Sequence, residues 1–104
     1  MTEVYSKNQY FEAVLQLRPY DEEVLKAVEK MVAEREGVFI SKVVKQKTGL
    51  DLYLSSQKFA QIIGKKLKKR FNGELKLSRT LFTRNRLTSK DIYRVTVLFR
   101  LKGE

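Results

Sequence analysis

The spacing of apolar residues changes period four times along this 104-residue chain, and that alternation leaves few architectures open. Over Tyr10–Arg18, Phe11, Ala13, Leu15 and Leu17 alternate with Tyr10, Glu12, Gln16 and Arg18, which predicts a strand with one buried face. Pro19 and Tyr20 break it. Asp21 is a helix N-cap for Val24, Leu25, Val28, Met31 and Val32, which recur at helical spacing. Glu22 and Glu23 suit the positive end of that helix's dipole, and Gly37 is placed to end it in a left-handed conformation. Val38–Lys47 and Leu50–Leu54 read as strands of a hairpin turned at Thr48-Gly49. Ser55 or Ser56 caps a second helix running to Phe71, closed by Asn72-Gly73. Strands over Glu74–Arg84 and Ile92–Leu101 follow, joined by the polar loop Asn85–Asp91, with Tyr93, Val95, Val97, Phe99 and Leu101 on one face of the last.

The order β-α-β-β-α-β-β defines an α+β domain. Its first six elements match the split βαβ arrangement of a ferredoxin-like core, with an additional C-terminal strand. Two helices on one face of a mainly antiparallel sheet of four or five strands would bury these apolar faces. The length suits one domain, over residues 10–104, after a flexible polar stretch at 1–9. A chain this size buries roughly two-thirds of its unfolded surface, enough for one core. Hydrophobic content of 42% with one Pro and five Gly is globular rather than linker-like. The longest apolar runs are too short to span a membrane, and the N-terminus lacks a signal pattern, so the cytosol is the expected compartment.

The chain has no Cys and no His. Disulfides, thiolate metal sites and cysteine nucleophiles are excluded, as are the commonest general base and zinc ligand. Asp51 and Asp91 read as isolated carboxylates, Glu22 and Glu23 belong to a helix start, and no serine has a candidate base. Ser89-Lys90 reads as a turn. The expectation is a binding protein, not an enzyme, with no cofactor, metal or small-molecule substrate.

The net charge of +10 is unevenly placed. Residues 1–57 hold 8 basic and 9 acidic side chains; residues 58–104 hold 14 basic and 3 acidic, Glu74, Asp91 and Glu104. Ion-pair networks need both signs in similar number, so the second half reads as the footprint of a polyanion partner.

Stepping residues by about 100° along the second helix places Lys58, Lys65 and Lys69 within about 20° of one line, flanked by Lys66 and Lys68. Phe59, Ala60, Ile63, Leu67 and Phe71 face the other way, and Ile62 falls among the lysines. Lys68, Lys69 and Arg70 also suit the negative end of the helix dipole, but Lys58 and Lys65 lie too early for that. The stripe is assigned to phosphate contact. Ile62–Leu67 is neither a KH loop, which needs Gly where Leu67 stands, nor a P-loop, which needs Gly at Phe59 and Ser or Thr at Lys66. Gly64 is read as a site of close helix packing. A second basic group runs through Arg79, Arg84, Arg86, Lys90, Arg94 and Arg100, with Arg84 and Arg86 at the polar loop placed to grip phosphates. Arg94 and Arg100 share a strand face with Thr96 and Leu98. With Tyr10 and Tyr53 they offer an open sheet face on which bases would stack, although the RNP patterns of RRM domains are absent.

Tyr10–Arg18, Gly49–Ser56, the helix through Ala60-Gln61 and Lys65–Leu67, and Leu75–Thr83 followed by Tyr93–Thr96 together resemble the Nmd-three family. These are the adaptors that serve nuclear export of the large ribosomal subunit in eukaryotes. The likeness covers residues 10–101, and Gly49-Leu50-Asp51 with Tyr53 is its most specific piece. It implies binding to the large subunit through rRNA and ribosomal proteins during maturation. The family's paired Cys-x-x-Cys zinc module precedes the segment matching Tyr10, and translation-factor-like domains follow. The chain thus reads as one excised or solitary central domain, with zinc expected only in the missing module and nucleocytoplasmic shuttling only for a full-length eukaryotic member.

Two functional readings follow. One is an RNA-contacting domain using the Lys58/Lys65/Lys69 stripe and the Arg84–Arg94 region. The other is a protein-interaction scaffold whose open sheet face docks a zinc module or a ribosomal protein, with the charge acting as long-range steering.

Overall fold

A computed structural model of the chain describes residues 10–85 and 90–102, with side chains over 10–80 and 93–102. The expected flexible stretch at 1–9 lies outside the described residues. Seven elements follow in order: β1 (Ala13–Arg18), α1 (Glu22–Ala33), β2 (Ile40–Gln46), β3 (Gly49–Leu54), α2 (Gln57–Arg70), β4 (Gly73–Asn85) and β5 (Lys90–Leu101).

Local chemistry sets both helix starts. Asp21 has extended backbone and its carboxylate accepts from the amides of Glu23 and Val24, at 2.9 and 3.2 Å. Ser56 caps α2, its Oγ accepting from the Phe59 amide at 3.1 Å. Glu12 reaches from before β1 to accept from the Gln57 amide at 3.0 Å, so a carboxylate satisfies a second orphan donor where the dipole favours negative charge. Ser55, buried, closes the start of the β2–β3 ladder by accepting from the Phe39 amide at 2.9 Å. Gly37 does have a left-handed backbone, φ +84°, but regular helix stops at Ala33 with Glu34 as C-cap, and Gly37 turns the chain toward β2.

The five strands form one sheet in the order β2-β3-β1-β5-β4. β3 runs antiparallel to both β2 and β1, so the split βαβ half is present. The ferredoxin-like order stops there. The added strand does not extend an edge: β5 lies beside β1, parallel to it from Ala13↔Val95 to Arg18↔Arg100, and displaces β4 outward. Its apolar face explains the placement, since Val95, Val97 and Phe99 are almost wholly buried and require a central position under a helix.

Ala13, Leu15 and Leu17 of β1, Leu50, Leu52 and Leu54 of β3 and those three β5 residues form one cluster with Val24, Ala27, Val28 and Val32 of α1 and Phe59, Ala60, Ile63 and Leu67 of α2. Both helices therefore cover the same face, each buried leucine or phenylalanine contributing about 2 kcal/mol. Leu25, Met31, Ile62 and Phe71 pack around the cluster partly exposed. Gly64 permits the close approach expected of it: a Cβ there would lie 2.8 Å from both Leu75 Cδ1 and Val97 Cγ1.

Two strand expectations need correction. β1 begins at Ala13, and Phe11 is not on the buried face. The chain bends before the strand, and the Phe11 ring packs edge-on against Tyr53 on the opposite side, centroids 4.8 Å apart. The β4–β5 hairpin is also longer than its polarity suggests. Arg84↔Asp91 and Asn85↔Lys90 are ladder pairs, so part of the expected Asn85–Asp91 loop is strand.

Candidate nucleic-acid interface

The α2 sequence carries six basic residues, Lys58, Lys65, Lys66, Lys68, Lys69 and Arg70, and no acidic one. All six are exposed. None of the five lysines forms an ion pair with a described residue, so their charge is directed outward rather than neutralised locally. Ile62 does not sit exposed among them; it is half-buried against the core.

Helical geometry divides the group. Lys58, Lys65 and Lys69 lie along the outermost line, Lys66 turns toward the α1 side with Phe59 and Arg70, and Lys68 toward the β4 side with Gln61. Arg35, just beyond α1, stands over the Phe59 ring at 5.1 Å, fixing which shoulder faces α1. Arg70 stands over Phe71 at 5.5 Å and lines a cleft between the helices with Glu23, Lys26 and Lys30. On the other shoulder, Gln61 forms a groove with Leu77, Arg79 and Val95. Arg79 is exposed on the helix side of β4, its guanidinium 5.3 Å from the Tyr93 ring. The structure thus brings Arg79 beside the α2 lysines.

Arg94 does not join them. It lies on the opposite sheet face with its guanidinium carbon 3.8 Å from the Phe11 ring centroid, and its Nε donates to the Phe11 carbonyl at 3.3 Å. Its charge is committed to holding the segment before β1. Tyr53 and Tyr10 are not a pair of bare stacking platforms either. Tyr53 is half-buried beneath Phe11, with Lys42 Nζ 5.6 Å from its ring. Tyr10 is exposed, and its hydroxyl donates to Glu12 Oε2. That bond raises the Tyr10 pKa above its ordinary value, assisted by partial burial and the Glu12 charge and opposed by Arg94. Arg100 is exposed on the same open face, beside a cleft lined by Gln16, Arg18, Pro19 and Thr48. The side chains of Arg84 and Lys90, and all of Arg86, lie outside the described residues.

Sequence reasoning missed two features. Asp51, read as isolated, is buried and paired with Arg18 at 2.6 Å. Tyr93, read as the first residue of the apolar face, is 38% exposed because β4 and β5 run past the end of β1. Among the described residues no three carboxylates come together as a metal site, and no helix is long and apolar enough to cross a membrane.

Comparison with known families places this arrangement. The family described as NMD3, second domain, matches residues 10–101. The chain belongs to the NMD3 family. The match spans every element from β1 to β5, which makes the α2 lysines and the long hairpin parts of an NMD3 second domain. The NMD3 family is associated with the large ribosomal subunit, in biogenesis and export, and that sets the general context for the chain. No curated protein matches the chain significantly.

Proposed function

We propose that this NMD3 domain contacts rRNA on the large ribosomal subunit, as part of a biogenesis or export adaptor. The α2 lysines and the basic β4–β5 hairpin take the phosphates, and no catalysis or cofactor is involved. The observation that carries this reading is the outer face of α2: exposed lysines at Lys58, Lys65 and Lys69, no acidic residue on the helix and no ion-pair partner among the described residues. Neutralising an unpaired basic stripe is the role of a polyanion, and phosphate binding by lysine proceeds by counterion release. Arg79 extends the positive region, and Arg84, Arg86 and Lys90 are assigned to it by charge alone; Arg94 and the open-face tyrosines are left out of it.

The test is co-sedimentation of the purified chain with large subunits, small subunits and naked rRNA across a salt series. Selective, salt-sensitive retention on large subunits is expected. Neutralisation of about five phosphates gives a log–log slope near −3.5 to −4.5, depending on strandedness. Charge reversal at Lys65→Glu and Lys69→Glu abolishes retention while leaving the circular dichroism spectrum unchanged. Equal retention on all three would mean unspecific polyelectrolyte binding. Salt-insensitive retention that survives the double reversal would favour a scaffold docking through the open sheet face.

A further inference from the structure

Two of the most exposed large apolar side chains, Leu77 at 45% and Tyr93 at 38%, stand on the helix side of the β4–β5 hairpin, next to the α2 basic stripe. The register explains why they are close. Leu77 pairs with Val97, Arg79 with Val95 and Leu81 with Tyr93, so Leu77, Arg79, Val95 and Tyr93 share one face. α2 packs over the lower part of that face, with Gly64 against Leu75 and Val97, and a groove of about 250 Å³ lies beside Gln61. Val95, only 2% exposed, is its floor; Gln61 forms the α2 wall, Leu77 and Arg79 the β4 wall. The Arg79 guanidinium stands 5.3 Å from the Tyr93 ring and leaves an aromatic–guanidinium pair at the surface.

Each component has a counterpart in an unpaired nucleotide. An exposed ring and guanidinium stack a base, an amide reads a base edge, and lysines at the rim hold the phosphates on either side. Gln61 lies between Lys58 and Lys65 on α2, one turn from each, which puts cations on both sides of the amide. Among the described residues that line the groove Arg79 carries the only charge, and the Glu12 carboxylate at the start of α2 is taken up by the Gln57 amide and the Tyr10 hydroxyl. α2 has no carboxylate, and Glu74 of β4 pairs with Arg100 on the other sheet face and bonds Lys102 at 3.3 Å. The volume is below the roughly 300–1,000 Å³ of small-molecule pockets and suits a single ring system. An acidic peptide would meet the charge but has no use for the exposed aromatic–guanidinium stack.

We infer that the groove between α2 and β4, lined by Gln61, Leu77, Arg79 and Val95 with the Tyr93 ring beside Arg79, receives an unpaired nucleotide, so that this domain prefers single-stranded or bulged RNA to duplex. The inference rests on the proposed rRNA-binding role and specifies its substrate class. It also moves base stacking from the open sheet face, where Phe11 covers Tyr53, to the helix side.

The experiment compares binding of the full chain to a single-stranded oligoribonucleotide and a duplex of equal length at several salt concentrations. Wild type, Tyr93→Leu, Tyr93→Phe and Lys65→Glu/Lys69→Glu are measured, with thermal melts as a folding control. Tyr93→Leu should weaken single-strand binding by about 5- to 150-fold, the effect of losing one stacked base, with duplex binding and the salt slope unchanged. Tyr93→Phe keeps the ring and should bind as wild type. If Tyr93→Leu leaves both RNAs unaffected while the lysine reversal abolishes binding, the nucleotide site is wrong and the rRNA-binding role stands. If Tyr93→Leu reduces retention on large subunits but not on RNA, the groove holds a protein segment and the inference fails. If no variant binds either RNA near physiological salt, both proposals fall.

Discussion

Arg18 grips Asp51 diagonally across the β1–β3 ladder. Its Nη2 donates to Asp51 Oδ1 at 2.6 Å while Nη1 donates to the carbonyls of Leu17 and Leu50, at 3.0 and 3.1 Å. Gln46 Nε2 donates to the other carboxylate oxygen at 3.2 Å, so both charges are held by further hydrogen bonds. The side chains are only 18% and 9% exposed, and removing either partner strands a charge beside the core. Asp51→Leu is expected to cost about 3 kcal/mol, and Arg18→Leu a similar amount. The double variant should cost clearly less than their sum, because nothing is then left uncompensated. Urea unfolding of the four species measures this; additive losses would show that the pair does not act as a unit.

Charge alone puts Arg94 among the phosphate contacts, and its surroundings predict otherwise. With its guanidinium over Phe11 and its Nε bonded to the Phe11 carbonyl, Arg94→Leu should destabilise the domain by about 1–2 kcal/mol. RNA affinity and its salt slope should be unchanged in the variant. A loss of affinity with unchanged stability would return Arg94 to the binding surface.

What could be read along the chain was what neighbours in sequence decide. The caps at Asp21 and Ser56 act within three residues of themselves, and the helices they start follow from local spacing. The alternation from Ala13 to Leu17 likewise needs no distant partner. The larger errors involve long separations. Phe11 leaves the alternation because Arg94, 83 positions later, and Tyr53 hold it on the other face. Asp51 is buried because Arg18 answers it from another strand. The insertion of β5 between β1 and β4 is a choice among strand orders that share the same local patterns. For the candidate interface, the α2 stripe was visible as helical spacing, whereas the groove at Tyr93 depends on how far β5 outruns β1.

Gly64 sits where α2 crosses the β4–β5 ladder, and alanine there meets two opposing effects. Replacing a helical glycine gains about 1 kcal/mol of propensity. The new methyl would lie 2.8 Å from Leu75 Cδ1 and from Val97 Cγ1, and Val97 is fully buried and unable to give way freely. Overpacking of this kind costs about 1–3 kcal/mol, so Gly64→Ala should be destabilising by about 1 kcal/mol and Gly64→Val by more. Chemical denaturation gives the sign directly, and a stabilised alanine variant would mean a looser seat for α2.

Tyr10 should ionise at higher pH than an ordinary tyrosine, because its hydroxyl donates to Glu12 and the Glu12 charge opposes phenolate formation. The sign of the linkage follows. A group whose folded pKa is raised contributes stability that is fully present below the unfolded value, near 10, and lost as pH rises through the folded value. Glu12→Gln should return the phenol toward its ordinary value. It should also weaken the start of α2, since Glu12 accepts from the Gln57 amide. A pH titration of the tyrosine ring carbons by NMR follows the first effect, and a Tyr10 that titrates ordinarily in the wild type would remove the prediction.

The α2 lysines differ from Arg18, Arg35, Arg79 and Arg94 in having no protein partner among the described residues, and this makes their contribution to binding separable. Each lysine that neutralises a phosphate contributes about 0.7 to the log–log salt slope on single-stranded RNA and about 0.9 on duplex. Lys58→Gln, Lys65→Gln and Lys69→Gln together should therefore lower the slope by about 2 to 2.7 with little change in stability, since none of the three supports another side chain. Lys66→Gln, turned toward the α1 shoulder, should change it by less than any of the three. Slopes measured on one oligoribonucleotide for the triple variant and for Lys66→Gln decide the matter. A larger effect from Lys66 than from Lys65 would place the RNA over the cleft between the helices, and an unchanged slope in the triple variant would take α2 out of the interface altogether.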